Sequence, residues 1–400
     1  MSLRISTRGM TEAGIETLQK RQVELAEAQE RLTTGKRVHK ASDDPAAAAR
    51  AERALAGQMR AETSQRAVDA SRTAMSLSET AMGDAIELLQ QAREAMVAAG
   101  NASYSDQERA NLAEKVKAIR NQLLSVANRT DGAGTFLFGG QGATTQPFVD
   151  APGGIDYRGI SGERRTELAT DLPLTVNGDS VFMTARTGNG VFQTSAGAGV
   201  TTAWIDNGQV SDPAALTGST YTLQFSVSGG TTTYAVLRDG NPTALTAAPY
   251  VSGQDITVDG MTFRISGAPA NGNSFTVQPS SSTLSIFDAL DRAVTELATS
   301  GRSGAQIAQG NTNALRDIDQ SMAQLQGARA VAGEMLVRID GETARLADQK
   351  LANQIQRSNA EDLDMTEAIS KFQNMQTGYD AALKSYSMVQ RLSLFEYLRT

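Results

Sequence analysis

The chain has 400 residues, and its 37 lysines and arginines against 44 aspartates and glutamates give a formal net charge of −7. A chain of this length usually forms two or three globular domains. Its net charge is negative and it has no long run of basic residues, which argues against a nucleic acid-binding protein. The absence of cysteine and the presence of one histidine exclude disulfides, thiolate zinc sites, cysteine nucleophiles and multi-histidine metal centres.

The first ten residues lack the apolar core of a Sec signal, and no stretch of about 18 apolar residues occurs anywhere. We therefore expect neither a cleaved signal peptide nor a membrane span.

The N-terminal segment predicts a helix with a narrow apolar stripe. Leu18, Leu25 and Leu32 are spaced by seven residues on an otherwise polar segment, which is the spacing of a coiled-coil seam. Three leucines bury too little surface to hold a helix alone, because isolated helices are marginal in water. The stripe therefore predicts a partner helix.

The next helices have recognisable starts and seams. Asp44-Pro45 predicts a helix N-cap followed by proline at the first helical position, and Ser105 with Glu108 predicts a capping box. Apolar residues then recur at coiled-coil spacing, so we expect segments 45–100, 105–129 and 306–356 to form a long bundle. These seam residues are Met75, Met82, Leu89, Met96, Leu112, Val116, Ile119, Leu123, Val126, Leu315, Ile318, Met322, Leu325, Leu336, Ile339 and Leu346.

The middle of the chain changes to Gly, Thr, Ser and Val, and residues 131–282 hold 23 of the 36 glycines. This composition predicts antiparallel β structure, with a hairpin region at 131–185 beside the bundle and a separate outer β domain at 186–282. The turn signals are Asn177-Gly178, Ser228-Gly229-Gly230, Asp239-Gly240 and Asp259-Gly260.

The C-terminal segment predicts another helix with a seam. Helical composition returns at 283, where Ser285 and Asp288 imitate a capping box, and a heptad frame from 365 to 397 is apolar at seven of its ten positions. Seams at both chain ends predict that the two terminal helices pair with each other. The alternative is that both dock on the central bundle.

Apolar residues also lie off this frame, at Met388, Val389, Leu392, Leu394 and Phe395. A helix that is apolar on nearly all sides is buried on nearly all sides, which here indicates oligomeric burial, a chaperone, or both. The predicted assembly interface consists of Leu18, Leu25, Leu32, Met365, Ile369, Phe372, Tyr379, Leu383, Tyr386, Leu394 and Phe395.

Together these elements predict an α+β fold. A long coiled-coil bundle formed by both chain ends carries an inserted antiparallel β region and a separate outer β domain. We divide the chain into an N-terminal assembly helix and loop at 1–42, bundle helices with the hairpin region at 43–185, the outer domain at 186–282, returning bundle helices at 283–356, and a C-terminal assembly helix at 357–400.

Candidate chemistry is sparse. His39 lies near Asp43 and Asp44 in sequence, but no nucleophile completes a catalytic set, and the role of helix cap accounts for Asp44. Gly35-Lys36 lacks the earlier glycine of a phosphate loop. We therefore predict no catalytic, cofactor-binding or metal-binding residues and a protein that is not an enzyme.

Three segments resemble a known family. RISTRGM at 4–10, QERLTTGKRVHKASDDPAAAA at 29–49, and AISKFQNMQTGYDAAL with SLFEYL near the C-terminus are similar to the flagellin superfamily. LTTGKRV before SDDP, and the SLFEYL ending, resemble the branch that joins hook to filament in the bacterial flagellum more than flagellin itself. The resemblance covers both helical flanks and does not extend to the β middle.

The resemblance implies an inner tube of terminal helices, a bundle with a β-hairpin outside it, and an outermost β domain. It implies a structural subunit that self-assembles through coupled folding of its terminal helices, after unfolded type III export to the flagellum outside the cell. The implied partners are further copies in a ring, hook-associated protein 1 on the hook side, flagellin on the filament side and an export chaperone at the C-terminal helix, with no nucleic acid and no membrane.

Two alternatives stay open at this stage. The chain could be flagellin, the bulk filament subunit. It could also be a surface protein that binds carbohydrate through the Thr- and Ser-rich domain at 186–282, although a neutral solvated β surface also explains that composition.

Overall fold

The computed structural model describes residues 7–143, 145–166 and 171–397, and the side chains of 12–143, 145–166 and 171–388. The helices are α1 Thr7–Thr34, α2 Pro45–Ala99, α3 Asp106–Ala127, α4 Gly178–Phe182, α5 Ile286–Ala298, α6 Gly304–Glu361 and α7 Met365–Tyr397, with a 3-10 turn at Pro213–Ala215. The strands are β1 Phe148–Ala151, β2 Gly154–Tyr157, β3 Phe192–Ala196, β4 Ala203–Ile205, β5 Gln209–Val210, β6 Tyr221–Ser228, β7 Thr231–Arg238, β8 Asn241–Pro242, β9 Ala248–Pro249, β10 Asp255–Val258, β11 Met261–Gly267 and β12 Ser274–Pro279.

The predicted α+β class, with helical chain ends around an antiparallel β region, is confirmed. The chain divides into two compact units. The central unit spans 67–342, and the terminal unit combines the described residues up to Arg66 with those from Thr343 onward. Helices α2 and α6 contribute residues to both units. Among the described helices, none combines the length and apolar composition needed to cross a lipid bilayer.

The helix starts that the sequence predicts are confirmed. Asp44 Oδ1 accepts a hydrogen bond from the Ala47 N–H at 2.9 Å, directly before α2. Ser105 and Glu108 form a complete capping box at α3, and Ser285 Oγ accepts from the Asp288 N–H at 3.4 Å before α5. Each cap satisfies N–H groups that the first helical turn leaves without a partner.

The heptad seams form the core of the central unit. Met75, Met82, Leu89 and Met96 of α2 are all at least 98% buried. Met82, Leu89 and Met96 share one apolar cluster with the α3 seam and with the α6 seam residues Leu315, Ile318, Met322 and Leu325. The pairs Arg93–Asp319 at 2.7 Å and Glu79–Arg329 at 2.6 Å show that α2 and α6 run antiparallel. The methionines at sevenfold spacing are thus bundle core, as their spacing predicts.

A buried arginine joins the β1–β2 hairpin to the bundle. Arg120 of α3 donates to Asp150 Oδ2 at 2.8 Å and to Asp291 Oδ2 of α5 at 3.1 Å. The Arg120 hydrogen bond lowers the pKa of the Asp150 carboxyl from its ordinary value, so Asp150 stays charged in the fold. Phe148 of the hairpin packs beside Phe182 and Phe287, which closes this end of the core.

The hairpin predicted at Asn177-Gly178 is wrong. Residues 178–182 form the short helix α4, which places both Val181 and Phe182 in the core. Gly178 serves close packing instead of a turn, because a Cβ there would lie 2.3 Å from the Phe138 carbonyl oxygen. Within the described residues of 131–185, the first β region therefore contains one hairpin, β1–β2, among irregular segments.

The other predicted turns are confirmed. Arg238 pairs with Asn241 across Asp239-Gly240, and Val258 pairs with Met261 across Asp259-Gly260. Both residues of each turn have positive φ, between 41° and 81°, as a two-residue type I′ turn requires. Ser228 likewise pairs with Thr231 across Gly229-Gly230.

The strands after β2 form two sheets around a second core. One sheet has the order β3-β12-β6-β7-β8, with β9 also paired to β7, and the other has the order β10-β11-β4, with β5 also paired to β11. Their shared apolar cluster includes Phe192, Tyr221, Phe225, Phe263 and Phe275. This core is distinct from that of the helices.

Buried side chains of α6 hold this β structure. The Gln309 side-chain amide accepts from the Ile205 N–H at 2.9 Å and donates to the Ile205 carbonyl at 3.2 Å, as a neighbouring strand would. Arg316 donates to the Thr194 carbonyl at 3.1 Å. The β structure is thus bonded to α6 as well as linked through the chain.

A pair of α2 substitutions tests the seam. Leu89→Ala removes a side chain with no exposed surface and should lower the free energy of unfolding by about 2–5 kcal/mol, measured by urea titration with circular dichroism. Val97→Ala, at a position 53% exposed on the same helix, should change it by less than about 0.5 kcal/mol. Equal effects would contradict the assignment of Leu89 to the core.

Candidate assembly interface

The terminal helices α1 and α7 pair with each other, as the seams at the two chain ends predict. The pair is antiparallel, since Gly14 lies against the ring of Tyr386 and Gly378 lies against the guanidinium of Arg21. At the base of the pair the two connections are hydrogen-bonded. The Leu363 N–H donates to the Gly35 carbonyl at 2.9 Å, and the Arg37 N–H donates to the Glu361 carbonyl at 2.7 Å.

The polar residues of this loop have structural partners. The His39 and Lys40 N–H groups donate to Asp43 Oδ2 at 3.1 and 2.9 Å, which lowers the pKa of the Asp43 carboxyl. His39 Nε2 lies 3.2 Å from Glu30 Oε1 on the surface. Within the described ranges, no three His, Asp or Glu side chains come together as metal ligands would.

Six of the predicted interface residues are half-buried. On α1, positions 18, 25 and 32 share a face with Gly14, the face turned to α7, because residues three, four and seven apart lie on one side of a helix. The half-buried residues are Leu18, Leu25, Leu32, Phe372, Tyr379 and Tyr386. The α1–α7 contact therefore covers these side chains in part.

Three other predicted interface residues are exposed instead of half-buried. Met365 and Ile369 are each 45% exposed and Leu383 is 41% exposed. Positions 365 and 383 are five helical turns apart and 369 is about 40° away, so the three form one stripe along α7. The side chains of Leu394 and Phe395 lie outside those that the structure describes.

The terminal unit has further exposed apolar side chains off the heptad frames, and of these the sequence indicated only Met388. Of the seventeen large apolar side chains exposed in the described part of the chain, ten belong to the terminal unit. Besides the three of the stripe they are Ile15, Val23, Met59, Leu351, Ile355, Met375 and Met388. The terminal unit thus holds most of the exposed large apolar side chains of the described residues.

The terminal helices also lack a core of their own. No side chain within 12–34 or 365–388 is buried. The buried apolar residues elsewhere in the terminal unit are mainly alanines, with Val38 and Leu346. Two helices that touch along one face leave their remaining apolar surface in water, and such a surface is characteristic of an interaction site.

Family models match three parts of the sequence. The bacterial flagellin N-terminal helical region matches residues 5–143, and the bacterial flagellin C-terminal helical region matches residues 315–398. The chain belongs to the flagellin superfamily. A D2-like domain of flagellar hook-associated protein 1 matches residues 194–279, so the β middle, for which the sequence alone indicated no relative, also resembles a flagellar domain.

Whole-chain comparisons identify a narrower group. Flagellar hook-associated protein 3 of Salmonella typhimurium strain LT2 is 26% identical over 403 residues, which covers 99% of this chain and all of that protein. The crystal structure of flagellar hook-associated protein 3 from Legionella pneumophila is 26% identical with a TM-score of 0.72, over 77% of this chain and 98% of that one. The flagellar junction protein FlgL from Legionella pneumophila is 28% identical with a TM-score of 0.65, over 70% and 95% of the two chains.

Hydrogen exchange tests the thin packing of the terminal helices. In the free chain, amides of α1 and α7 should exchange at least about 100-fold faster than amides of α2 between 81 and 96, because local opening there exposes no buried side chain. Mass spectrometry of peptides from exchanged protein measures both sets in one sample. Equal protection of α1 and α2 would show that the terminal pair is stable alone.

Proposed function

We propose that this protein is a structural subunit of the bacterial flagellum that forms the junction between hook and filament. The observation that carries the proposal is the terminal helix pair, whose apolar side chains are half-covered or exposed in a single chain. Similarity to hook-associated protein 3 over nearly the whole sequence supports the junction role specifically. The role is structural and not catalytic.

The proposed mechanism is folding coupled to assembly. One chain covers only part of Leu18, Phe372 and Tyr386, and it leaves Ile369 and Leu383 exposed. Burying the remaining surface of one such side chain contributes on the order of 1 kcal/mol, so a stable contact needs several of them and several copies. The eleven predicted interface residues, including Leu394 and Phe395, would become buried between neighbouring chains.

The proposed partners follow from that role. Further copies form a ring, hook-associated protein 1 lies on the hook side and flagellin on the filament side. An export chaperone covers the C-terminal helix, whose sequence is apolar on nearly all sides, until the unfolded chain has left the cell by type III export. The absence of cysteine suits that route, because an exported chain then forms no misplaced disulfide.

We also propose the domain divisions drawn from the sequence. The segments 1–42 and 357–400 assemble, 43–185 and 283–356 form the bundle with its hairpin, and 186–282 is the outer domain. Only eight of the 97 residues in 186–282 are charged, and its core is separate from that of the helices. These features support an outer domain that faces solvent.

The amount of this protein in flagella tests the function. We expect a trace relative to the major filament subunit in purified flagella with hooks attached, retained at the hook ends after shearing and measured by quantitative mass spectrometry. A dominant amount in the filament fraction would make it a flagellin. Its absence from flagella would refute the assembly role and favour carbohydrate binding by 186–282, which glycan binding to that fragment would then test.

A charge on the α7 stripe tests the interface. Leu383→Glu should reduce incorporation into flagella by about tenfold or more, because a buried unpaired carboxylate costs several kcal/mol. Phe372→Glu should act in the same way, and the helices between 45 and 356 should keep their circular dichroism and cooperative unfolding.

Ser385→Glu is the matched control, since it adds the same charge to an exposed position two residues along, on the opposite side of α7. It should incorporate normally. Normal incorporation of Leu383→Glu would show that the stripe is not part of the interface.

A further inference from the structure

The methionines of this chain differ in exposure between its two units. The chain has 13 methionines and no cysteine, so oxidation of sulfur can occur only at thioethers. The methionines of the central unit are all buried or half-buried, namely Met75, Met82, Met96, Met183, Met261, Met322 and Met335. The methionines of the terminal unit with described side chains are all exposed, by between 39% and 65%, namely Met59, Met365, Met375 and Met388. The side chains of Met1 and Met10 lie outside those that the structure describes.

This difference determines which methionines an oxidant can reach. Methionine in a folded protein usually fills gaps in the core, and Met75, Met82 and Met96 do so in the bundle, where each is at most 2% exposed. A dissolved oxidant reaches such residues only when the core opens, whereas it reaches an exposed methionine in the folded chain. Exposure therefore makes the terminal unit the more readily oxidised part of the molecule.

The exposed methionines belong to the apolar surface of the terminal unit. Met365 is part of the α7 stripe with Ile369 and Leu383. Met375 lines a cavity of about 630 Å³ between α1 and α7. Met388 is 65% exposed, more than any other large apolar side chain described in this unit. A chemical change at these residues therefore alters the surface to which we assign assembly.

The reaction is oxidation of the thioether by hydrogen peroxide. The sulfur lone pair attacks one peroxide oxygen, so an S–O bond forms while the O–O bond breaks. The departing hydroxide takes the proton from the transferred oxygen, which leaves methionine sulfoxide and one molecule of water. Sulfur loses two electrons and the peroxide gains them. The product is a polar side chain in place of an apolar one.

The sulfoxide affects the free chain and the assembled chain differently. In the free chain the exposed sulfoxide oxygen stays hydrated, so the buried seams of the bundle keep their packing. Assembly removes that water, and a polar group that is buried without a hydrogen-bond partner is unfavourable. Oxidation of the terminal unit should therefore weaken assembly without unfolding the chain.

We propose that the four exposed methionines are sites of oxidative modification in the free chain, and that their conversion to sulfoxide prevents its assembly. The sites are Met59, Met365, Met375 and Met388. The effect on assembly rests on the proposed function, whereas the choice of sites does not. The modification is reversible, because methionine sulfoxide reductases restore the thioether.

Oxidation rates test the choice of sites. The folded full-length chain is treated with hydrogen peroxide, and mass spectrometry of its peptides follows each methionine with time. Each rate is divided by the rate for the same residue in concentrated urea, where the unfolded chain exposes every methionine. We expect the four exposed residues to react at least about tenfold faster than Met75, Met82 and Met96. Equal rates for the two groups would overturn the proposal.

Binding to hooks tests the effect on assembly. Oxidised or untreated chain is added to hooks isolated from cells that lack this protein, and the bound amount is measured by quantitative mass spectrometry. Oxidation should reduce binding by about tenfold or more, with unchanged unfolding of the free chain. Treatment with sulfoxide reductases should restore binding. Undiminished binding of the fully oxidised chain would refute the effect on assembly.

Leucine variants assign the effect to these residues, because leucine nearly conserves the volume of methionine and has no sulfur to oxidise. A chain with all four exposed methionines changed to leucine should bind hooks equally well before and after peroxide. The matched control changes Met75, Met82 and Met96 to leucine instead and should stay sensitive to peroxide. Loss of binding by the peroxide-treated fourfold variant would overturn the proposal.

Failure of the proposed function gives a different result. In that case the untreated chain itself would not bind to hooks, which would refute the effect on assembly as well. The oxidation rates of the free chain would still confirm or refute the choice of sites.

Discussion

The terminal helix pair cannot bury its own apolar side chains, and the rest of the architecture depends on this constraint. Two antiparallel helices cover one face of each other, so Leu18 and Phe372 are half-buried while Ile369 and Leu383 stay in contact with water. Under the proposed function, other chains complete this burial. The central unit is built differently, since its α2, α3 and α6 seams are closed within one chain and α5 and the hairpin cap them.

The central and terminal units are stabilised by different interactions. The central unit has Met82 and Leu89 fully buried and an arginine that joins three elements through Asp150 and Asp291. The terminal unit has alanine packing and hydrogen bonds at the base of its helix pair. Under the proposed function, such a subunit would present a formed bundle before assembly and gain order at its ends during assembly, at an entropic cost that the new contacts offset.

Features that depend on neighbouring residues were predictable from the sequence. The caps at Asp44 and Ser105 and the turns at Asp239-Gly240 and Asp259-Gly260 are local, and the heptad seams depend only on spacing. The Asn177-Gly178 prediction failed because Gly178 is required by Phe138 and Phe148, which are distant in sequence. On the terminal helices, the frames identified six side chains that the α1–α7 contact covers in part, together with Met365, Ile369 and Leu383, which are exposed. The other exposed apolar residues of the terminal unit follow no frame, and apart from Met388 only the structure shows them.

The polar anchors of α6 were not predictable either, because Gln309 and Arg316 have the composition of a solvated helix face until the β structure is placed on them. These two side chains determine where the β structure is attached to α6. The β structure is bonded to the helix at Ile205 and Thr194, close to where its chain enters, and its distal hairpins at 228–231 and 239–241 make no such bonds in the described residues. Both bonded groups lie in β3 and β4, so these side chains of α6 hold the β structure at two neighbouring strands. A domain of different size could therefore replace this one, provided that it offers two backbone groups where Gln309 and Arg316 bind.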